Sequence, residues 1–201
     1  YDQKADNGVG LRTVQRMHTV LHAALNAAYK MGLISHNPAR GARPPKPPAK
    51  EMQFLNAEQA RKLLQVAKET TDRNYALYYT ALVTGMREGE LLALRWEDVD
   101  LEVGTLHVRF NLKRVLGGGL RLQQPKTKSS IRTIKLGQES VGVLRQQKEQ
   151  LEKEKAQSNG YWQNTGHVFP STVGTPLDPS NMLRQFRELL KMADLPKIRF
   201  H

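Results

Sequence analysis

The sequence predicts a mixed fold, mainly α-helical, with a small antiparallel three-stranded sheet and a fragment of a separate all-α unit in front. Three observations predict it. Apolar residues recur at three- and four-residue steps over 11–31, 57–69, 73–83, 139–156 and 179–193, as on helices with one buried face. Between 105 and 136 the period drops to two, as in half-buried strands. A run of four prolines and four basic residues, Ala39 to Lys50, reads as a stiff extended linker.

The 201 residues suffice for one medium domain plus part of another. The formal net charge of +12 makes a polyanion the expected partner. There are no cysteines, which excludes disulfides and thiolate metal sites and fits a reducing compartment. No apolar run approaches the roughly 20 residues of a membrane span, and no signal peptide is visible at the start. The abrupt beginning and end lead us to expect a fragment.

In chain order, residues 1–10 are polar and Gly-containing and read as a loop. The first helix carries Leu11, Val14, Met17, Leu21, Leu25 and Ala28 on one face, and Arg12 and Arg16 elsewhere. Gly32 ends it, and Asn37-Pro38 marks a turn. After the linker, Asn56 and Gln59 read as a capping box for a helix through Glu69. A helix over 73–83 carries Tyr75, Leu77, Tyr78, Tyr79 and Leu82, which read as core. Three strands are expected, over 105–110, 119–123 and 131–136, with Gly117-Gly118-Gly119 as a turn. A helix over 139–156, a short apolar strand at 167–170 and a helix over 179–193 complete the list. Asp178-Pro179 supplies the last helix with an N-cap and a proline at its first position.

Two stretches carry chemistry. Between Glu102 and Glu139 there is no acidic residue, while Arg109, Lys113, Arg114, Arg121, Lys126, Lys128, Arg132 and Lys135 all fall there. A solvated surface mixes signs; a one-sign sheet fits a nucleic-acid backbone. The second stretch is Thr84 to Asp100, read as a helix opening after Gly85, with Thr84 as N-cap, and ending near Trp96. Helical angles put Arg87 on the apolar arc beside Glu90, in a first turn whose free N–H groups favour anions. A buried guanidinium needs an anionic partner. Spacing alone leaves two readings open: an ion pair that holds a helix, or an anion site.

Thr84-Gly85-x-Arg87-x-x-Glu90-Leu91-x-x-Leu94-x-Trp96-x-Asp98-Val99-Asp100 resembles the first signature box of the tyrosine recombinase (phage-integrase) family. The resemblance implies the catalytic-domain fold of that family over 53–201 and the end of its helical core-binding domain over 1–39, joined by the basic linker 40–52. Gly32-Leu33-Ile34-Ser35-His36-Asn37-Pro38-Ala39 is similar to the ending of that first domain.

The family's reaction implies roles. Arg87 binds the scissile phosphate of duplex DNA and Glu90 supports it. Lys126, in Lys126-Thr127-Lys128-Ser129-Ser130-Ile131-Arg132, resembles the family's hairpin lysine, the general acid toward the leaving 5′ oxygen. His201 resembles the start of the second box, His-x-x-Arg, whose arginine falls beyond residue 201. The nucleophilic tyrosine that forms a 3′-phosphotyrosine lies further on. None of Tyr1, Tyr29, Tyr75, Tyr78, Tyr79 or Tyr161 occupies its place, so the chain alone is expected to be inactive.

Arg12, Arg16, Arg43, Lys113, Arg114, Lys128 and Arg132 are the candidate DNA contacts. No cofactor and no metal are implied, since side-chain cations stabilise the phosphorane-like transition state. His18 and His22 have the i, i+4 spacing of a zinc pair without further ligands, and read as polar-face or groove-facing residues. The family works as a homotetramer on two duplexes, with DNA-bending or directionality proteins as accessories. The implied location is the cytoplasm of a bacterial host, with the nucleoid.

A non-catalytic duplex-binding module of the same fold is the alternative. A metal-dependent nuclease would need a carboxylate-rich cluster that the sequence lacks. An RNA-binding protein would prefer single strands.

Overall fold

In a computed structural model of the chain, residues 8–48, 51–115, 117–124 and 130–200 are described. The chain divides into two compact units, Tyr1–Met52 and Gln53–His201.

Among the described residues the first unit is built on α1 (Leu11–Lys30) and a 3-10 turn, Pro38–Gly41. Asn37 caps that turn, accepting from the Ala39 N–H at 2.9 Å and donating to the His22 carbonyl at 3.1 Å. Of the apolar face expected on α1, Val14 is buried, while Leu11, Met17 and Leu21 are exposed.

The second unit begins at α2 (Ala57–Glu69). Its capping box closes in both directions, Gln59 N–H to Asn56 at 2.8 Å and Asn56 N–H to Gln59 at 3.0 Å. Next is α3 (Tyr75–Thr84), apolar on nearly every side, with Ala76, Leu77, Tyr78, Tyr79 and Thr80 buried. Gly85, at φ 62°, ends it in the left-handed conformation that favours glycine. Thr84 is therefore the last residue of α3, not an N-cap. The following helix, α4 (Glu88–Ala93), is shorter than its periodicity predicts, and Arg87 is its N-cap residue. Leu94 is already extended, and a 3-10 turn holds Trp96–Asp98.

The sheet runs β1-β2-β5, antiparallel, from Val99–Asp100, Thr105–Val108 and Arg132–Lys135. It has three strands, but not the three expected. Residues 119–123 form β4 (Gly119–Gln123), which pairs with β3 (Asn111–Val115) in a separate hairpin. The adjacent charges Lys113-Arg114 break the alternation of β3 and hid it from a period-two reading. Residues 167–170 are likewise not a regular strand. Val168 N–H bonds the Leu94 carbonyl and Trp96 N–H the Gly166 carbonyl, both at 2.9 Å, around an isolated Arg95–His167 bridge.

Helices α5 (Gln138–Gln157) and α6 (Pro179–Met192) complete the unit. One core joins Leu63, Leu77, Tyr78, Met86, Leu91, Leu92, Leu106, Leu144, Phe169, Met182, Phe186 and Leu189. Arg73 ties distant segments at its edge. Its guanidinium grips the Glu154 carboxylate at 2.7–3.1 Å and donates to the Pro170 and Ser171 carbonyls at 2.7 and 3.1 Å.

Candidate active site

The site is set by the break between α3 and α4. Met86, fully buried, anchors the connection in the core. Its neighbour Arg87 therefore emerges at the head of α4 with a side chain 71% exposed. This corrects the apolar-arc placement: Arg87 is the residue before the helix, with extended backbone. Its own N–H is also satisfied, by Glu90 Oε2 at 3.0 Å, so the guanidinium rather than a free helix end faces outward.

Glu90 is the buried counterpart, at 5% exposure. Its Oε1 accepts from Arg87 Nη1 at 3.0 Å. Its Oε2 accepts from the Arg87 N–H and from Arg132 Nη2, the latter at 2.8 Å. Burial pushes the carboxyl pKa up, but the bonds from Arg132 and from the backbone and side chain of Arg87 outweigh it and hold it below the usual value. One ionised carboxylate thus carries two guanidinium groups, one from the residue before α4 and one from β5.

The basic stretch resolves into two kinds of residue. Arg109 pairs with buried Asp98, and Arg114 with Asp178, the N-cap of α6. With Arg132 on Glu90, three of its cations are met by carboxylates from outside the stretch. Lys113 and Arg121 stand directly opposite each other across the β3–β4 hairpin, both exposed. No carboxylate pairs with either among the described residues. The sequence reading missed Asp98 and Asp178 as partners because neither lies near its arginine in the chain.

Lys126, Lys128 and His201 lie outside the described residues. Phe200, just before His201, packs edge-on to Phe186 at 5.0 Å between ring centres and 6.4 Å from Tyr78. Arg12 and Arg16 are exposed on α1, and Arg43 is exposed in the extended segment after the 3-10 turn. The His18 and His22 rings are 5.7 Å apart, and no group of three or more metal-capable side chains occurs among the described residues.

His167 was given no role by the sequence. It is buried, accepts or donates at Nδ1 with Thr165 Oγ1 at 2.9 Å, and its Nε2 has no partner among the described residues. Burial, with the positive charge of Arg95 beside it, pushes its pKa down to about 4.

Chemically, the cluster offers a largely exposed guanidinium held on one edge by a buried carboxylate. Such a fork suits bidentate binding of a phosphodiester.

Residues 53–201 match the phage integrase family. A tyrosine recombinase XerC-like protein of Caldanaerobacter subterraneus is 29% identical over 218 positions, spanning 100% of this chain and 55% of that protein. An integrase of Streptomyces ambofaciens is 32% identical over 191 positions, 91% of this chain and 47% of the relative. The chain thus spans about half the length of these relatives. Among solved structures, the Tn1549 transposon integrase in complex with transposon right end DNA superposes with a TM-score of 0.78 at 21% identity, over 94% of this chain and 61% of that one. A lambda integrase dimer bound to a core site gives 0.65 at 20% identity, over 98% and 49%. These two likenesses show the fold.

Proposed function

The chain belongs to the phage integrase family of tyrosine recombinases, and from that premise we propose that it is part of a site-specific integrase that cuts and rejoins duplex DNA. The reaction passes through a 3′-phosphotyrosine and integrates or excises a mobile element. The observation that carries the reading is the outward guanidinium of Arg87, held by the buried Glu90, on a unit whose β3–β4 hairpin presents two further exposed cations. DNA-bound integrases among the structural neighbours support duplex DNA as the partner.

In the mechanism, Arg87 grips the non-bridging oxygens of the scissile phosphate. As the nucleophile attacks, negative charge grows on those oxygens, and a preoriented cation stabilises the transition state more than the ground state. Lys126 protonates the leaving 5′ oxygen, and His201 donates a hydrogen bond or assists proton transfer. The attacking tyrosine is none of those in residues 1–201; Tyr78 and Tyr79 are core residues. Lys113, Arg121, Lys128, Arg12, Arg16 and Arg43 contact the DNA backbone. The assembly is a homotetramer on two duplexes, with DNA-bending or directionality proteins as accessories.

The test is to incubate the full-length protein with a duplex carrying its attachment site, nicked to trap the cleaved state. Denaturing gels should show a covalent protein–DNA adduct, lost in Arg87→Ala, while duplex binding persists. Binding without any adduct would favour a non-catalytic module.

A further inference from the structure

Arg132 differs from the other paired cations of its stretch in its partner, Glu90, which also holds Arg87. The sequence groups it with the DNA contacts, yet both of its terminal nitrogens bond protein oxygens. Nη2 bonds Glu90 Oε2 at 2.8 Å and Nη1 reaches the Ser130 carbonyl at 3.4 Å. Its side chain is 32% exposed, against 71% for Arg87. The bond to Glu90 joins β5 to α4 across 42 residues of sequence.

The charge arithmetic gives this bond a consequence. Arg87 and Glu90 alone make a neutral pair, and a neutral pair attracts a phosphodiester weakly. A second guanidinium on the same carboxylate restores one net positive charge to the cluster. It does so from the protein side, so the outer edge of Arg87 stays open. The geometry is equally constrained. Glu90 Oε2 is shared between the Arg87 N–H and Arg132, which leaves Oε1 aimed at Arg87 Nη1 at 3.0 Å. Rotating Glu90 would break all three bonds together.

Resting on the integrase reading above, we propose that Arg132 is a positioning residue: through Glu90 it orients the guanidinium of Arg87 and offsets the carboxylate's charge, and it makes no direct DNA contact. Arg87 meets the phosphate; Arg132 fixes how it does so.

The experiment uses the full-length protein and its nicked duplex, with Arg132→Gln, Arg132→Lys, Glu90→Gln and the Glu90→Gln/Arg132→Gln double variant. Single-turnover cleavage is measured at saturating DNA, and duplex affinity over a salt series. Arg132→Gln should cut the cleavage rate about 10- to 100-fold, the scale on which outer supporting groups act. Its log affinity against log salt should keep the wild-type slope. Arg132→Lys should recover most of the rate. The double variant should cleave about as fast as the slower single variant, because both changes cut one linkage.

A direct phosphate ligand behaves otherwise: the slope falls by about one and the two substitutions multiply. Either result overturns the proposal while the integrase reading stands. A residue needed only for folding would lower cleavage in proportion to folded protein and give no coupling to Glu90, which also overturns it. No adduct with the wild type would sink the integrase reading and this proposal with it.

Discussion

Arg87 and Glu90 meet at 3.0 Å with opposite surroundings: the guanidinium is 71% exposed and the carboxylate 5%. The pair is therefore not a symmetric salt bridge. Its acid is part of the interior and its base is part of the surface. Substitutions at the two ends should separate activity from stability. Arg87→Ala is expected to lower single-turnover cleavage at least about 100-fold, with a stability loss of about 1 kcal/mol, because Glu90 keeps Arg132 and the backbone N–H as partners. Glu90→Ala leaves two guanidinium groups without their acceptor and should cost about 1–3 kcal/mol of stability as well as activity. Denaturant unfolding beside the cleavage assay reads both.

Gly89 makes the hairpin's seat on α4. A Cβ there would lie 2.8 Å from the Leu112 carbonyl oxygen and would collide with the Asn111 side-chain oxygen. The backbone of β3 has no slack to give. Gly89→Ala should destabilise the protein by about 1–3 kcal/mol, as overpacking does. Hydrogen exchange should show the loss first at the amides that pair β3 with β4.

Lys113 and Arg121 face each other across the hairpin, where like charges repel by a few tenths of a kcal/mol. Each single change to Gln should leave the free protein at least as stable as the wild type. Each should also reduce the salt dependence of duplex binding by about one ion. Thermal melts without DNA and titrations between about 50 and 200 mM salt separate the two effects.

His167 predicts a pH dependence. Its folded pKa of about 4 lies below the ordinary histidine value of 6.5, so the unfolded chain binds the proton more tightly. The stability this gives is complete above pH 6.5 and is lost as pH falls toward 4, by about 3 kcal/mol in all. In His167→Gln the loss between pH 6.5 and 4 should be smaller by about that amount. Urea unfolding at several pH values compares the two proteins.

Local chemistry was readable in the chain; long-range pairing was not. Asn56 with Gln59 and Asp178 with Pro179 announced their helices, because caps act over two or three residues. The signature box announced the family, since residue identities at fixed spacing survive without any knowledge of backbone angles. The box did not disclose that Gly85 ends α3 and leaves Arg87 as the residue before α4. A left-handed glycine erases the helical phase on which an apolar arc is drawn. Nor did it show that Arg132, Arg114 and Arg109 already have carboxylate partners. Those partners lie 42, 64 and 11 residues away, and only tertiary structure brings them in.

The Arg73 guanidinium joins Glu154, Pro170 and Ser171, positions 81 to 98 residues further along the chain. Contacts of that span must wait for a long loop to close, and they form after the local helices. Arg73 is therefore expected to be a latch that sets late in folding rather than part of a nucleus. Cutting it should leave the refolding rate nearly untouched and speed unfolding, so its contribution is to how long the native state lasts.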